Sequence, residues 1–191
     1  MGHYRKINEL KKVNVTRETT LEQNYLFLGY QVKNFKKEDV DYLRIILGIL
    51  DKTPTNLIFE KTRVEKNIVY ETELTTYVAP GIFIIKAGLD EKNKQIFIET
   101  IKEIFEELKN KEKLKSYIEK LIKNQEINLL KEEDYERYKL INTIYEDMKE
   151  ISPKKILEIY QNVNIDILIQ EIKKIELKSI VFFRSTNDKN I

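Results

Sequence analysis

The chain has no cysteine, no tryptophan, one histidine, three prolines and five glycines in 191 residues. Without cysteine there is no disulfide framework, no thiolate nucleophile and no thiolate metal ligand. The lone histidine, His3, stands at the very start. A zinc site of the usual kind needs several His or Cys ligands, and a Ser-His or Cys-His nucleophile pair needs a histidine inside the fold. Gly2, Gly29, Gly48, Gly81 and Gly88 are scattered, so no glycine-rich phosphate loop can form. So few prolines and glycines favour long regular elements over a loop-rich fold. No apolar run reaches membrane-spanning length, and the start "MGHYRKINELKK" lacks the apolar core of a leader; the compartment is left open, with the cytoplasm favoured over the others. The opening Met-Gly-His reads as a cloning remnant as readily as a native start. A charge excess is missing too: 34 basic against 32 acidic residues leave +2. That balance argues against nucleic acid or an anionic membrane as partner.

What is present is a 41% hydrophobic, 35% charged chain with lysines interleaved among glutamates. This suits one globular domain with solvated helix faces. The aromatic-rich "EQNYLFLGYQV" (22–32) predicts a strand, with Tyr25, Phe27 and Tyr30 divided between core and a covered face, or lining a chamber. Val40, Leu43, Leu47 and Leu50 recur at helical spacing and predict a helix over 36–50. "DKTPTN" is a turn, and "LIFEKTR" a short helix running toward Arg63. Alternation with Thr and Val predicts a strand over 67–77, and the apolar run 82–90 a buried one. Their short connection, "VAPG", makes them an antiparallel hairpin.

Asp90 is placed to cap a helix over 91–110 with the stripe Phe97, Ile101, Ile104, Phe105 and Leu108. A second helix follows over about 111–128 with Leu114, Tyr117, Ile118 and Leu121, and a third over about 131–150. Ser152-Pro153 reads as an N-cap with proline at the first helical position, and Asn164 as the cap of a last helix. "LKSIVFFRST" (177–186) closes the chain as a strand. The expected class is α+β: a mostly antiparallel sheet covered on one face by helices. Residues 1–19 are expected as an N-terminal extension, linker or tag remnant, and 20–191 as a single domain.

Chemistry-bearing residues are few. Glu132, Glu133, Asp134 and Glu136 read as the solvated, dipole-favoured start of a helix before they read as a metal or acid–base site. Arg63 and Tyr70 stand seven positions apart, across the junction of a helical turn and a strand. The arginine can pair with Glu65 or Glu73, and the tyrosine can pack at the sheet margin. A bend at the junction can instead bring both side chains to one rim.

The order of elements resembles a known family. "YLFLGYQV" leads to a helix ending "LRIILGILD", then to "RVEKNIVY", then to a hairpin into "GIFIIKAGLDEKNKQIFIETIKEIFEELKN". This sequence resembles the non-catalytic, substrate-binding C-terminal domain of M16 metallopeptidases, the insulinase, pitrilysin and processing-peptidase group. Leu47-Gly48 occupies the first part of the family pattern "LG…LREKKGLAY". Arg63, Glu65, Lys66 and Tyr70 occupy the second at matching spacing. The resemblance runs from about residue 20 to 186. Thr62 departs from the usual apolar residue, Asn67 stands near the usual glycine, and Val69 replaces a small residue.

The resemblance implies an M16-like α+β fold and a non-catalytic, peptide-binding role opposite a zinc-bearing domain. Catalytic M16 domains carry H-x-x-E-H on a helix, and this sequence has no such motif. Zinc is therefore expected in a partner domain or subunit, with no cofactor, metal ligand or catalytic residue in this chain. Arg63 and Tyr70 are the implied substrate-binding residues, offering hydrogen bonds to peptide near the scissile bond. Partners implied are the zinc-bearing M16 domain or subunit and a peptide; a second copy of the chain is a further candidate, and the charge balance leaves no expectation of nucleic acid or membrane. The alternative is a catalytically dead structural or dimerisation module on the same fold.

Overall fold

The computed structural model describes residues 10–52, 56–77, 81–129 and 151–187. The expected helix over 131–150, its acidic start, His3 and positions 78–80 of the "VAPG" turn lie outside them. Among the described residues, five strands form one sheet: β1 (Val13–Thr19), β2 (Tyr25–Val32), β3 (Glu71–Tyr77), β4 (Ile82–Gly88) and β5 (Ile175–Ser185). Their order across the sheet is β1-β5-β2-β4-β3. β1 runs parallel to β5, and every other pairing is antiparallel. The expected hairpin is present: β3 pairs with β4 in the register Glu71↔Gly88 through Tyr77↔Ile82.

Alternation along the strands sorts side chains between two faces. Leu26 and Leu28 of β2, Phe83 and Ile85 of β4 and Phe182 of β5 are wholly buried. Over them lie the helices α1 (Val40–Leu47), α2 (Leu57–Phe59), α3 (Lys94–Glu107), α4 (Lys111–Leu129), α5 (Pro153–Gln161) and α6 (Ile165–Lys173). Phe97, Ile101 and Ile104 of α3 and Leu114, Ile118 and Leu121 of α4 complete the same core, as their stripes predict. Tyr30 joins it too, stacking on Phe83 with ring centroids 5.1 Å apart. Tyr25 and Phe27 take the opposite face and are half-buried; there Phe27 meets Phe183 edge-on at 5.6 Å. No helix among the described residues is long and apolar enough to cross a membrane.

Local chemistry sets the helix ends. Ser152 accepts from the Lys155 amide with Pro153 at the first helical position, and Asn164 accepts from Asp166 and Ile167, both as expected. Asp90 differs. It occupies the N-cap position before α3, but its side chain makes no capping bond; its Oδ1 accepts from the Tyr70 hydroxyl instead.

Two segments depart from the sequence reading. Val13–Thr19, treated as part of an extension, forms the edge strand β1 along β5. Its side chains are exposed but for a half-buried Thr19, so it lacks the buried alternation that marks a strand in sequence. β3 begins at Glu71, four residues later than the alternation suggests. Residues 67–70 form an irregular corner, with Asn67 in the left-handed region (φ 49°) and Ile68 and Val69 pressed into the core.

Candidate functional site

The corner between α2 and β3 carries both candidate residues. Asn56 accepts from the Phe59 amide to start α2, whose Leu57 and Ile58 are buried. The helix widens into π-helical turns over Glu60–Glu65, which carry Arg63. Thr62, where an apolar residue is usual, is wholly buried and donates its hydroxyl to the Ile58 carbonyl at 2.7 Å. That back-bond satisfies the one polar group the substitution introduces.

Asn67 then reverses the chain. Asparagine is second to glycine in tolerating a left-handed backbone, which accounts for its place near the usual glycine. The Ile68 amide returns to the Thr62 carbonyl at 2.9 Å, closing the helix end. Asn93, at the start of α3, donates to the Ile68 carbonyl at 3.2 Å, and the Tyr70 amide reaches the Gly88 carbonyl at 2.7 Å.

Arg63 spans this reversal. Its Nη1 donates to the Val69 carbonyl at 2.8 Å and to Asn67 Oδ1 at 3.1 Å. It pairs with neither Glu65 nor Glu73, which bind Lys61 and Lys86 instead. Tyr70 is 50% exposed and donates its hydroxyl to Asp90 Oδ1 at 2.6 Å. Arg63 and Tyr70 both line one open cleft of about 390 Å³, with Lys66, Asn67, Asp90, Lys92 and Asn93 among its walls. Lys66 is tied to Thr100 Oγ1 at 2.9 Å and Glu103 Oε2 at 2.7 Å. The cleft is therefore polar, ringed by three cations and one carboxylate, and it offers N–H donors on a rigid corner.

Asp90, Lys66, Lys92 and Asn93 were not picked out as site residues from sequence. The hairpin register held the missing signal. With Glu71 opposite Gly88, the residue before β3 must lie beside the residues just past β4. Among the described residues no group of three or more His, Cys, Asp or Glu could hold a metal ion.

Comparison with known proteins agrees with this architecture. A conserved protein from Enterococcus faecalis V583 superposes with TM-score 0.67 at 16% identity, covering 94% of this chain and 43% of that one. A protease from Helicobacter pylori gives 0.69 at 13% identity, covering 93% and 45%. A peptidase M16 inactive domain from Pseudomonas fluorescens gives 0.61 at 13%, covering 95% and 45%. At these identities the likeness is one of fold, and this chain spans less than half the length of each. No curated protein sequence matches it. The sequence profile of the peptidase M16 inactive domain matches residues 3–142, which is most of the chain. The chain belongs to the peptidase M16 inactive domain family.

Proposed function

We propose that this chain is the non-catalytic, peptide-binding half of an M16-type zinc peptidase, closing a proteolytic chamber opposite a zinc-bearing domain or subunit. One observation carries the reading. Arg63 and Tyr70, seven positions apart in sequence, are brought by the Asn67 reversal to one open polar cleft. In this role Arg63 hydrogen-bonds the peptide near the scissile bond. Tyr70 exchanges Asp90 for a peptide group or offers it the phenol oxygen. The zinc and its ligands belong to the partner, which supplies the hydrolytic chemistry; this chain's residues bind and orient.

Co-expression with a zinc-bearing M16 half tests this. The pair should co-purify and cleave unstructured peptides that neither half cleaves alone. A zinc half that is fully active without this chain, and no more active with it, would overturn the proposal. A structural or dimerisation role draws on a different feature, the half-buried Phe27 and Phe183 on the sheet face away from the described helices. It predicts a stable homodimer by sedimentation and no effect of Arg63 on turnover.

A further inference from the structure

Arg63 is anchored along one edge only. Both of its intramolecular bonds, to Val69 and Asn67, use Nη1. No described residue accepts from Nη2 or Nε, and no described carboxylate pairs with this exposed guanidinium. Acids around the corner have other partners. Glu65 binds Lys61 at 2.8 Å, Glu103 binds Lys66, and Asp90 holds the Tyr70 hydroxyl with Lys92 at 3.7 Å. The side chain is thus held at its terminal Nη1 by the Val69 carbonyl and Asn67, while the planar Nη2–Nε edge is left to the cleft.

That edge presents two parallel N–H donors in the geometry of a carboxylate. A peptide carbonyl can occupy one such donor well, whereas a carboxylate takes both and brings a compensating charge. Asp90, the carboxylate among the cleft walls, does not fill this position: its oxygens serve Tyr70 and Lys92.

We infer that the Nη2–Nε edge of Arg63 is a carboxylate subsite, so that this cleft selects a peptide presenting an acidic group there. The inference rests on the reading of the cleft as peptide-facing and adds the chemistry it prefers. The carboxylate comes either from an acidic side chain or from the C-terminus of a peptide, and the two are separable.

The test titrates four N-terminally capped peptides into the chain at low salt, following by NMR the backbone amide resonances of residues 63–70 in every variant and the side-chain Nε–H resonance of Arg63 in wild type. They are a tetra-alanine with a free C-terminus, its C-terminal amide, an amidated peptide with one internal aspartate, and its asparagine counterpart. The expected result is that at least one acidic peptide binds about threefold or more tightly than its uncharged twin, the size of an ion pair in an open setting with good fork geometry. That preference should weaken with added salt and disappear in Arg63→Gln, a variant that keeps a polar N–H group but has neither the charge nor the paired donor edge. Preference for the free C-terminus or for the aspartate names the source. Equal binding of acids and their uncharged twins overturns the carboxylate subsite while leaving peptide binding intact. An acid preference that survives in Arg63→Gln assigns the carboxylate to the lysines and also overturns it. Failure of the broader reading would look different: an acid preference at Arg63 with no effect of the residue on turnover in the assembled enzyme.

Discussion

The Tyr70 hydroxyl donates to Asp90 Oδ1 across 2.6 Å, tying the residue before β3 to the residue two past β4. The bond sits in the open, with Tyr70 50% exposed. An exposed hydrogen bond contributes little net stability because water replaces it readily. Tyr70→Phe in the isolated chain should therefore change the unfolding free energy by no more than about 1 kcal/mol, read from urea denaturation. A loss well beyond that would make Tyr70 a structural residue and remove the reason to look to function for it.

Asn67 sets the reversal that brings the pair together, at φ 49°. Asn67→Gly should keep the fold, since glycine adopts this backbone freely. Asn67→Val should cost about 1–2 kcal/mol, the penalty of a left-handed conformation for a residue branched at Cβ. Thermal melts of the two variants check this. Equal stability of the two would mean that the corner does not depend on this residue.

Gly29 lies opposite Ser179 in the β2–β5 ladder, and a Cβ added at Gly29 would overlap the Ser179 hydroxyl oxygen. Gly29→Ala should destabilise by no more than about 1 kcal/mol, the cost of turning the Ser179 hydroxyl aside. Ser179→Ala, which removes that oxygen, should recover much of the loss. Chemical denaturation of the double-mutant cycle measures the coupling; additive effects would contradict the contact.

The Tyr117 hydroxyl donates to Glu107 Oε1 at 2.5 Å, between α4 and α3. Burial alone would raise the Glu107 carboxyl, but the Tyr117 bond and the charges of Lys61 and Lys113 outweigh it and hold the group below the usual carboxylate range. A depressed carboxylate contributes stability that is present above its unfolded value, about 4.3 for Glu, and lost as pH falls through its folded value. Tyr117→Phe should therefore be less stable than wild type at neutral pH, with the gap closing on acidification below about pH 4. A gap that is constant from pH 7 to pH 3 would assign the effect to packing.

Much of this fold was legible in the sequence, for identifiable physical reasons. The α3 stripe, the Ser152-Pro153 start and the β3–β4 hairpin each carry a local signal: periodicity, capping chemistry and a short connection. β1 carries none, since Val13 and Val15 are exposed and the strand it pairs with, β5, lies more than 160 residues away. The same limit applied to the cleft. Arg63 and Tyr70 are near neighbours in sequence, and the resemblance to M16 domains drew attention to them. Asp90 and Asn93 come from across the hairpin, and were legible only as helix-start residues until the register Glu71↔Gly88 was known. Asp90 proved the instructive case, because its side chain meets Tyr70 across the hairpin and not the helix start.

The most direct measurement is turnover of an unstructured peptide by this chain assembled with a zinc-bearing M16 half, comparing wild type with Arg63→Ala and Tyr70→Phe. Removing one donor near a reacting carbonyl typically costs about 10²–10³ in rate. The peptide-facing role predicts a fall in kcat/KM of that order for Arg63→Ala and a clear fall for Tyr70→Phe, with assembly and folding intact. Unchanged turnover in both variants would contradict it and leave Arg63 as no more than the clasp on the Val69 carbonyl.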